Sequence, residues 1–253
     1  MNFLDKGNGA ALVFLHGFCE SLEIWNDFIP PLSDKFRVLT IDLPGFGGSH
    51  LLDPGFTIDH VADAVNTWVK KTHLSDIVII GHSLGGYVAL SLAERHGSNV
   101  KGICLFHSTV FSDSEEKKEN RNKVAKFVHE HGVLPYVDTY VPGLFVDKAG
   151  VGVTETHRIA AQTNQVTLTG YLSAMRDRPD RSGWWKNSDI RKLVIAGKED
   201  TLVPLAVSRE MAGIGRNLEY FELEKTAHMG FFEAKNESQL IITRFADALF
   251  FDK

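Results

Sequence analysis

Ile77-Val78-Ile79-Ile80-Gly81-His82-Ser83-Leu84-Gly85-Gly86 is the stretch on which the fold turns. Its first four residues are all β-branched and read as a strand covered on both faces. Leu84 to Arg95 reads as a helix, and Gly81 to Gly85 between them fits G-x-S-x-G. A strand that passes into a helix through so sharp a turn is crowded, so its flanking positions must be small. Gly81 and Gly85 leave that room, and the turn presents the Ser83 hydroxyl at the carboxyl edge of the sheet. A bare G-x-S-x-G also arises by chance as a Ser-Gly loop. The strand before it and the helix after it make Ser83 the candidate nucleophile.

Working outward, similar apolar runs occur at Ala11 to Leu15, Arg37 to Ile41, Gly102 to Phe106, Leu193 to Ala196 and Leu218 to Leu223. All but the last are mostly apolar rather than alternating, as buried parallel strands are. Amphipathic stretches separate them. Ile58, Val61, Ala62, Val65, Trp68 and Val69 form one helical face, with Thr57 as N-cap. The last helix is expected over Asn236 to Phe250, capped by Asn236, with Leu240, Ile241, Phe245, Ala248 and Leu249 inward. Strands alternating with helices predict an α/β fold: a mostly parallel central sheet with helices on both faces.

Between Ser112 and Lys186 no buried strand is legible. Residues 112–186 are expected to form a helical cap or lid inserted into a core made of 1–111 and 187–253. The charged run Glu115 to Lys126 reads as a solvated helix face. Phe145, Tyr171, Met175, Trp184 and Trp185 are candidates to line a pocket beneath this roof, against the plainer reading of core packing.

Five motifs in order resemble the α/β-hydrolase superfamily over nearly the whole chain. His16-Gly17-Phe18 is similar to its oxyanion turn, and Asp42-Leu43-Pro44-Gly45-Phe46-Gly47-Gly48-Ser49 to its D-x-P-G-x-G-x-S loop. Gly81 to Gly86 resembles the nucleophile elbow. Gly197-Lys198-Glu199-Asp200 with Val203-Pro204 resembles the acid loop, and Ala227-His228 stands where the family places its histidine. The resemblance implies a catalytic triad of Ser83, Asp200 and His228, with Phe18 and Leu84 supplying backbone N–H groups to an oxyanion hole.

Chemistry supports the same roles. A serine hydroxyl needs an adjacent base, and a carboxylate fixes the tautomer of that base. Of the eleven histidines His228 alone lies beyond His157, so a Ser…Asp…His order leaves one base. Glu199 competes locally for the acid role, and the resemblance favours Asp200. His82 reads as a spacer in the elbow, His16 as shaping the oxyanion turn, and His107 as a candidate to border the pocket. The expected reaction is cleavage of a carboxylic ester in a small or medium-sized molecule through an acyl-enzyme. Carbon–carbon bond hydrolysis, thioester cleavage, perhydrolysis and lyase chemistry stay open on the same fold. A ligand receptor that retained the triad is the non-enzymatic alternative.

Composition narrows the rest. The 253 residues are 43% hydrophobic and 23% charged, ordinary for one globular unit. A net charge of -5 with interspersed signs gives no footprint for nucleic acid or an anionic membrane. Cys19 and Cys104 are too few for a disulfide framework. No His/Cys cluster has zinc spacing, and the glycine-rich Asp42 to Ser49 lacks the ending of a phosphate loop, so no metal and no cofactor are expected. It reads instead as a structural turn bordering the pocket. The polar start of the chain and the lack of a long apolar segment predict a cytoplasmic protein with no membrane partner. The sequence carries no signal for a particular oligomeric state.

Overall fold

The structure, a computed structural model, describes residues 1–251. In chain order its regular elements begin β1 (Phe3–Lys6), β2 (Ala11–Leu15), α1 (Pro30–Ser33), β3 (Arg37–Ile41), α2 (Ile58–Lys71), β4 (Ile77–His82), α3 (Leu84–His96) and β5 (Val100–Phe106). Five helices follow: α4 (Glu115–His131), α5 (Val133–Tyr140), α6 (Val151–Ala160), α7 (Gln165–Arg176) and α8 (Ser182–Asn187). The chain then forms β6 (Arg191–Gly197), α9 (Leu205–Ile214), β7 (Leu218–Leu223), α10 (Gly230–Glu233) and α11 (Lys235–Phe250).

The strands form one sheet in the order β1-β3-β2-β4-β5-β6-β7. Every pairing is parallel except β1 with β3. The fold is therefore the expected mostly parallel α/β sheet. β2, β4 and nearly all of β3 and β5 are buried, which is why those segments read as unbroken apolar runs. Helices cover both faces, with α3 packed beside α2 across β2, β4 and β5, α11 lying over β5 and β6, and α1 packed against α11 and β3. Strand β4 stands at the centre of the sheet, so its carboxyl end opens where neighbouring loops converge.

One strand was missed and two local expectations are corrected. β1 was not legible, because a short edge strand exposes most of its residues and so carries no apolar run. Asn236 does not cap the last helix, which starts at Lys235 after Ala234 with no side-chain cap. Leu240 is 49% exposed rather than buried, since α11 turns Ile241, Ile242, Phe245 and Ala246 inward instead. Thr57 does cap α2: its hydroxyl accepts from the His60 N–H, and His60 Nδ1 accepts from the Thr57 N–H.

Candidate active site

The Gly81–Gly85 turn is built by close approach. A Cβ on Gly81 would lie 2.5 Å from the Gly85 carbonyl oxygen, and one on Gly85 would lie 2.3 Å from that of Leu15. Only glycine lets α3 start this close to β2 and β4. Ser83 between them is forced to φ 47° and ψ −111°, a strained geometry for a residue with a side chain. Neighbours hold it there: the Ser83 N–H donates to Phe106 O at 3.0 Å, and Ser108 Oγ donates to Ser83 O at 2.7 Å.

Asp200 and His228 stand on the loops after β6 and β7. His228 Nδ1 lies 2.8 Å from Asp200 Oδ2, and the other carboxylate oxygen accepts from the N–H groups of Leu202 and Val203 at 2.9 Å each. Burial alone would raise the Asp200 pKa, but His228 and His107 outweigh it and hold the carboxyl well below the usual range. His228 Nε2 is buried and has no hydrogen-bond partner among the described residues. Ser83 and His228 both line a cavity of about 320 Å³. A hydrogen bond between them is not formed.

The His16–Phe18 turn is fixed from beneath. His16 bonds the Gly17 carbonyl through Nδ1 at 2.8 Å and accepts from the Leu43 N–H through Nε2 at 3.0 Å, and burial lowers its pKa so that the ring is neutral. Glu20, buried, accepts from the Gly17 N–H at 2.6 Å. Among the hydrogen bonds of the described residues, the N–H groups of Phe18 and Leu84 find no acceptor. Phe18 lines the same cavity as Ser83, and Leu84 directly follows Ser83 in the chain.

Two histidines do more than the sequence suggested. His107 does not border the cavity; it is buried behind Asp200, with Nδ1 at 3.3 Å from Asp200 Oδ2 and Nε2 accepting from the Gly230 N–H at 3.1 Å. Burial pushes its pKa down to about 4, so the ring is a neutral brace for the carboxylate. His82 is no mere spacer. Its Nδ1 faces Glu20 at 3.1 Å and its Nε2 faces the His228 carbonyl at 2.9 Å. Two acceptors require two ring hydrogens, so His82 is a buried imidazolium paired with Glu20. Burial opposes that charge, but Glu20 and the His228 carbonyl raise the His82 pKa above its ordinary value.

His107, Asp200 and His228 bring three ligand-capable atoms within 4.8 Å. The Nδ1 atoms of His228 and His107 stand 2.8 and 3.3 Å from Asp200 Oδ2, the first at ordinary N–H···O hydrogen-bond length, so the carboxylate serves as acceptor to these rings. Burial pushes the Cys19 and Cys104 thiols far up, away from nucleophilic thiolate.

Of the aromatic and sulfur candidates between β5 and β6, only Met175 lines the cavity. Tyr171 is buried with its hydroxyl donating to Pro44 O at 2.8 Å, and its ring packs on Phe46 and Phe56. Trp185 donates to Met211 O, Phe145 packs on Phe232, and Trp184 packs against the core. The Asp42–Ser49 loop is structural as expected but lies outside this cavity. Asp42 ties together Asn2, Leu22 and Gly48 at 2.7–2.8 Å. The charged start of α4 is only partly a solvated face, because Lys117, Asn120, Arg121 and Val124 line the cavity. Their spacing of three and four puts them on one helical side, the signal by which the sequence could have shown it.

A sequence profile described as the alpha/beta hydrolase fold matches residues 10–131. The chain is 27% identical to the dihydrolipoyllysine-residue acetyltransferase component of the acetoin cleaving system of Cupriavidus necator, over 96% of this chain and 66% of that protein. It thus spans about two thirds of that relative. A non-heme chloroperoxidase of Kitasatospora aureofaciens is also 27% identical, over 89% of this chain and 87% of its own. The solved structure of a thermophilic esterase from Thermogutta terrifontis superposes with a TM-score of 0.93 at 25% identity, covering 98% of this chain and 93% of that one. With the sheet order, the elbow and these likenesses in agreement, the chain belongs to the α/β-hydrolase superfamily.

Proposed function

We propose that the protein is a serine hydrolase that cleaves a carboxylic ester of a small molecule through an acyl-enzyme. One observation carries the reading: His228, held by Asp200 at 2.8 Å, keeps a buried and unpartnered Nε2 in the cavity that also holds the strained Ser83. A ring nitrogen left free beside a serine is positioned to take its proton. Ser83 Oγ attacks the ester carbonyl as its proton passes to His228 Nε2. The charge on the carbonyl oxygen is met by the N–H groups of Phe18 and Leu84, the latter at the N-terminus of α3. His228 then gives the proton to the leaving alcohol as its C–O bond breaks. A water adds to the acyl-enzyme with His228 as base, and the Ser83–acyl bond breaks to release the acid. Asp200 stays ionised throughout and stabilises the imidazolium. Residues 112–186 act as the cap that walls the cavity, and Met175, Leu172 and Val124 give it an apolar surface.

The likeness to a chloroperoxidase over most of the chain favours one further reading, in which hydrogen peroxide replaces water and the acyl group leaves as a peracid. Peracid yield from an ester and peroxide distinguishes it from hydrolysis. Among the described residues no helix is long and apolar enough to cross a membrane.

The first test is the intact mass after a fluorophosphonate probe. One adduct is expected, absent in Ser83→Ala, followed by turnover of p-nitrophenyl esters by the wild type alone. A folded wild type that takes no adduct would reject an activated Ser83.

A further inference from the structure

One wall of the cavity carries charge that ester cleavage leaves unused. Among the described residues Asp113 is the only carboxylate in the cavity lining. Burial would raise its pKa, but Arg121 and Arg178 hold it well below the usual range, so it is ionised. Arg178, itself buried, donates to Asp113 Oδ1 at 2.8 Å, and Arg121 Nε donates to Oδ2. Lys117 stands one turn before Arg121 on the same side of α4, its Nζ reaching only the Leu202 carbonyl at 3.3 Å. Three cations against one carboxylate leave this wall positive.

Arg121 is the member with a weakly partnered end. Its side chain is only 20% exposed. Its NH1 has a thioether as partner, Met175 Sδ at 3.5 Å, and its NH2 reaches Asp113 Oδ1 at 3.5 Å. A thioether is a weak acceptor, so the NH1 end of this largely shielded guanidinium has no oxygen partner, which is costly. Arg121 gives its Nε side to Asp113, whose charge Arg178 also balances, so the NH1 end of its guanidinium remains to meet a second anion. Its planar pair of N–H groups suits a carboxylate in particular.

We infer that the protein selects esters that carry a carboxylate elsewhere in the molecule, with Arg121 as the specificity-determining residue and Lys117 assisting. This rests on the ester reading of the same cavity. Such substrates are monoesters of short dicarboxylic acids or their equivalents, which the apolar floor of Leu172 and Val124 accommodates between the charged end and Ser83.

The test compares monomethyl glutarate with dimethyl glutarate, which differ by one methyl group and one charge. Hydrolysis is followed by kcat/KM in the wild type, and binding by calorimetry in Ser83→Ala. The monoanion is expected to be favoured tenfold or more in both measurements. In Arg121→Met, where Asp113 keeps Arg178, the ratio of the two kcat/KM values should fall about tenfold, with a smaller fall in Lys117→Met. An equal response to both esters in the wild type, or a ratio unchanged by Arg121→Met, overturns the inference. Should neither ester be hydrolysed, the ester reading falls by itself. Tighter binding of the monoanion, lost in Ser83→Ala/Arg121→Met, then upholds the charge selectivity, and equal binding overturns it.

Discussion

Glu20 and His82 are the residues whose chemistry reaches furthest from their own positions. One buried carboxylate accepts from the Gly17 N–H and from His82, whose other nitrogen holds the His228 carbonyl. The folded pKa of His82 lies above its unfolded value of about 6.5. Its contribution is therefore complete below about pH 6.5 and is lost as pH rises through the raised folded value. Glu20 is depressed despite its burial, so its contribution holds above its unfolded value of about 4.3 and fades only as pH falls through the lower folded one. His16 and His107, lowered by burial, act in the opposite sense and only below about pH 6.5. Between pH 7 and 9 the wild type should lose stability. In Glu20→Gln that slope should flatten, with about 1–3 kcal/mol lost at pH 7. Urea midpoints at the two pH values measure it, and an equally steep slope in the variant would assign the effect to another group.

At the scale of the element, two glycines with opposite requirements mark the ends of α3, Gly85 in its first turn and Gly97 just past its last residue. Gly85 meets the backbone of β2, whereas a Cβ on Gly97, which follows the helix with φ −66°, meets nothing within 4 Å. Gly85→Ala should lose about 3 kcal/mol or more, because backbone cannot move aside as a side chain does. Gly97→Ala should be neutral or gain about 0.4–1 kcal/mol through the unfolded chain. Chemical denaturation of both variants checks the pair, and similar losses would mean that the elbow is not packed this closely. These glycines also show why the elbow was legible: a steric demand leaves a small-residue spacing in the sequence. Strand β1 left no such trace, being a polar edge segment defined by its pairing with β3. Nor did the Glu20–His82 pair, whose members are 62 positions apart and meet only through the fold. The cavity face of α4 was legible in its spacing but masked by its charge, since Lys and Arg on a helix usually face water.

For the whole molecule, the question is how firmly the helices between β5 and β6 are joined to the sheet below them. The joints are polar and buried. Tyr171 Oη donates to Pro44 O at 2.8 Å, Thr167 Oγ1 to Gly45 O at 3.1 Å, and the His228 N–H to Leu144 O at 2.9 Å. The last of these means that His228 is itself tied to the segment between β5 and β6. Such joints argue for one cooperative unit, not for a lid that melts alone. Tyr171→Phe isolates the point, since it removes only the hydroxyl and leaves the ring between Phe46 and Phe56. The Pro44 carbonyl then loses its donor in a buried place, and the expected cost is about 1–3 kcal/mol. If the helices and the sheet unfold together, this cost appears as a shift of a single urea transition, followed alike by far-ultraviolet circular dichroism and by tryptophan fluorescence. Trp25 lies buried beside β2 and Trp185 in α8, so the fluorescence reports on both parts. Two transitions, with only the earlier one shifted by the variant, would show instead that the helical segment unfolds as a separate unit.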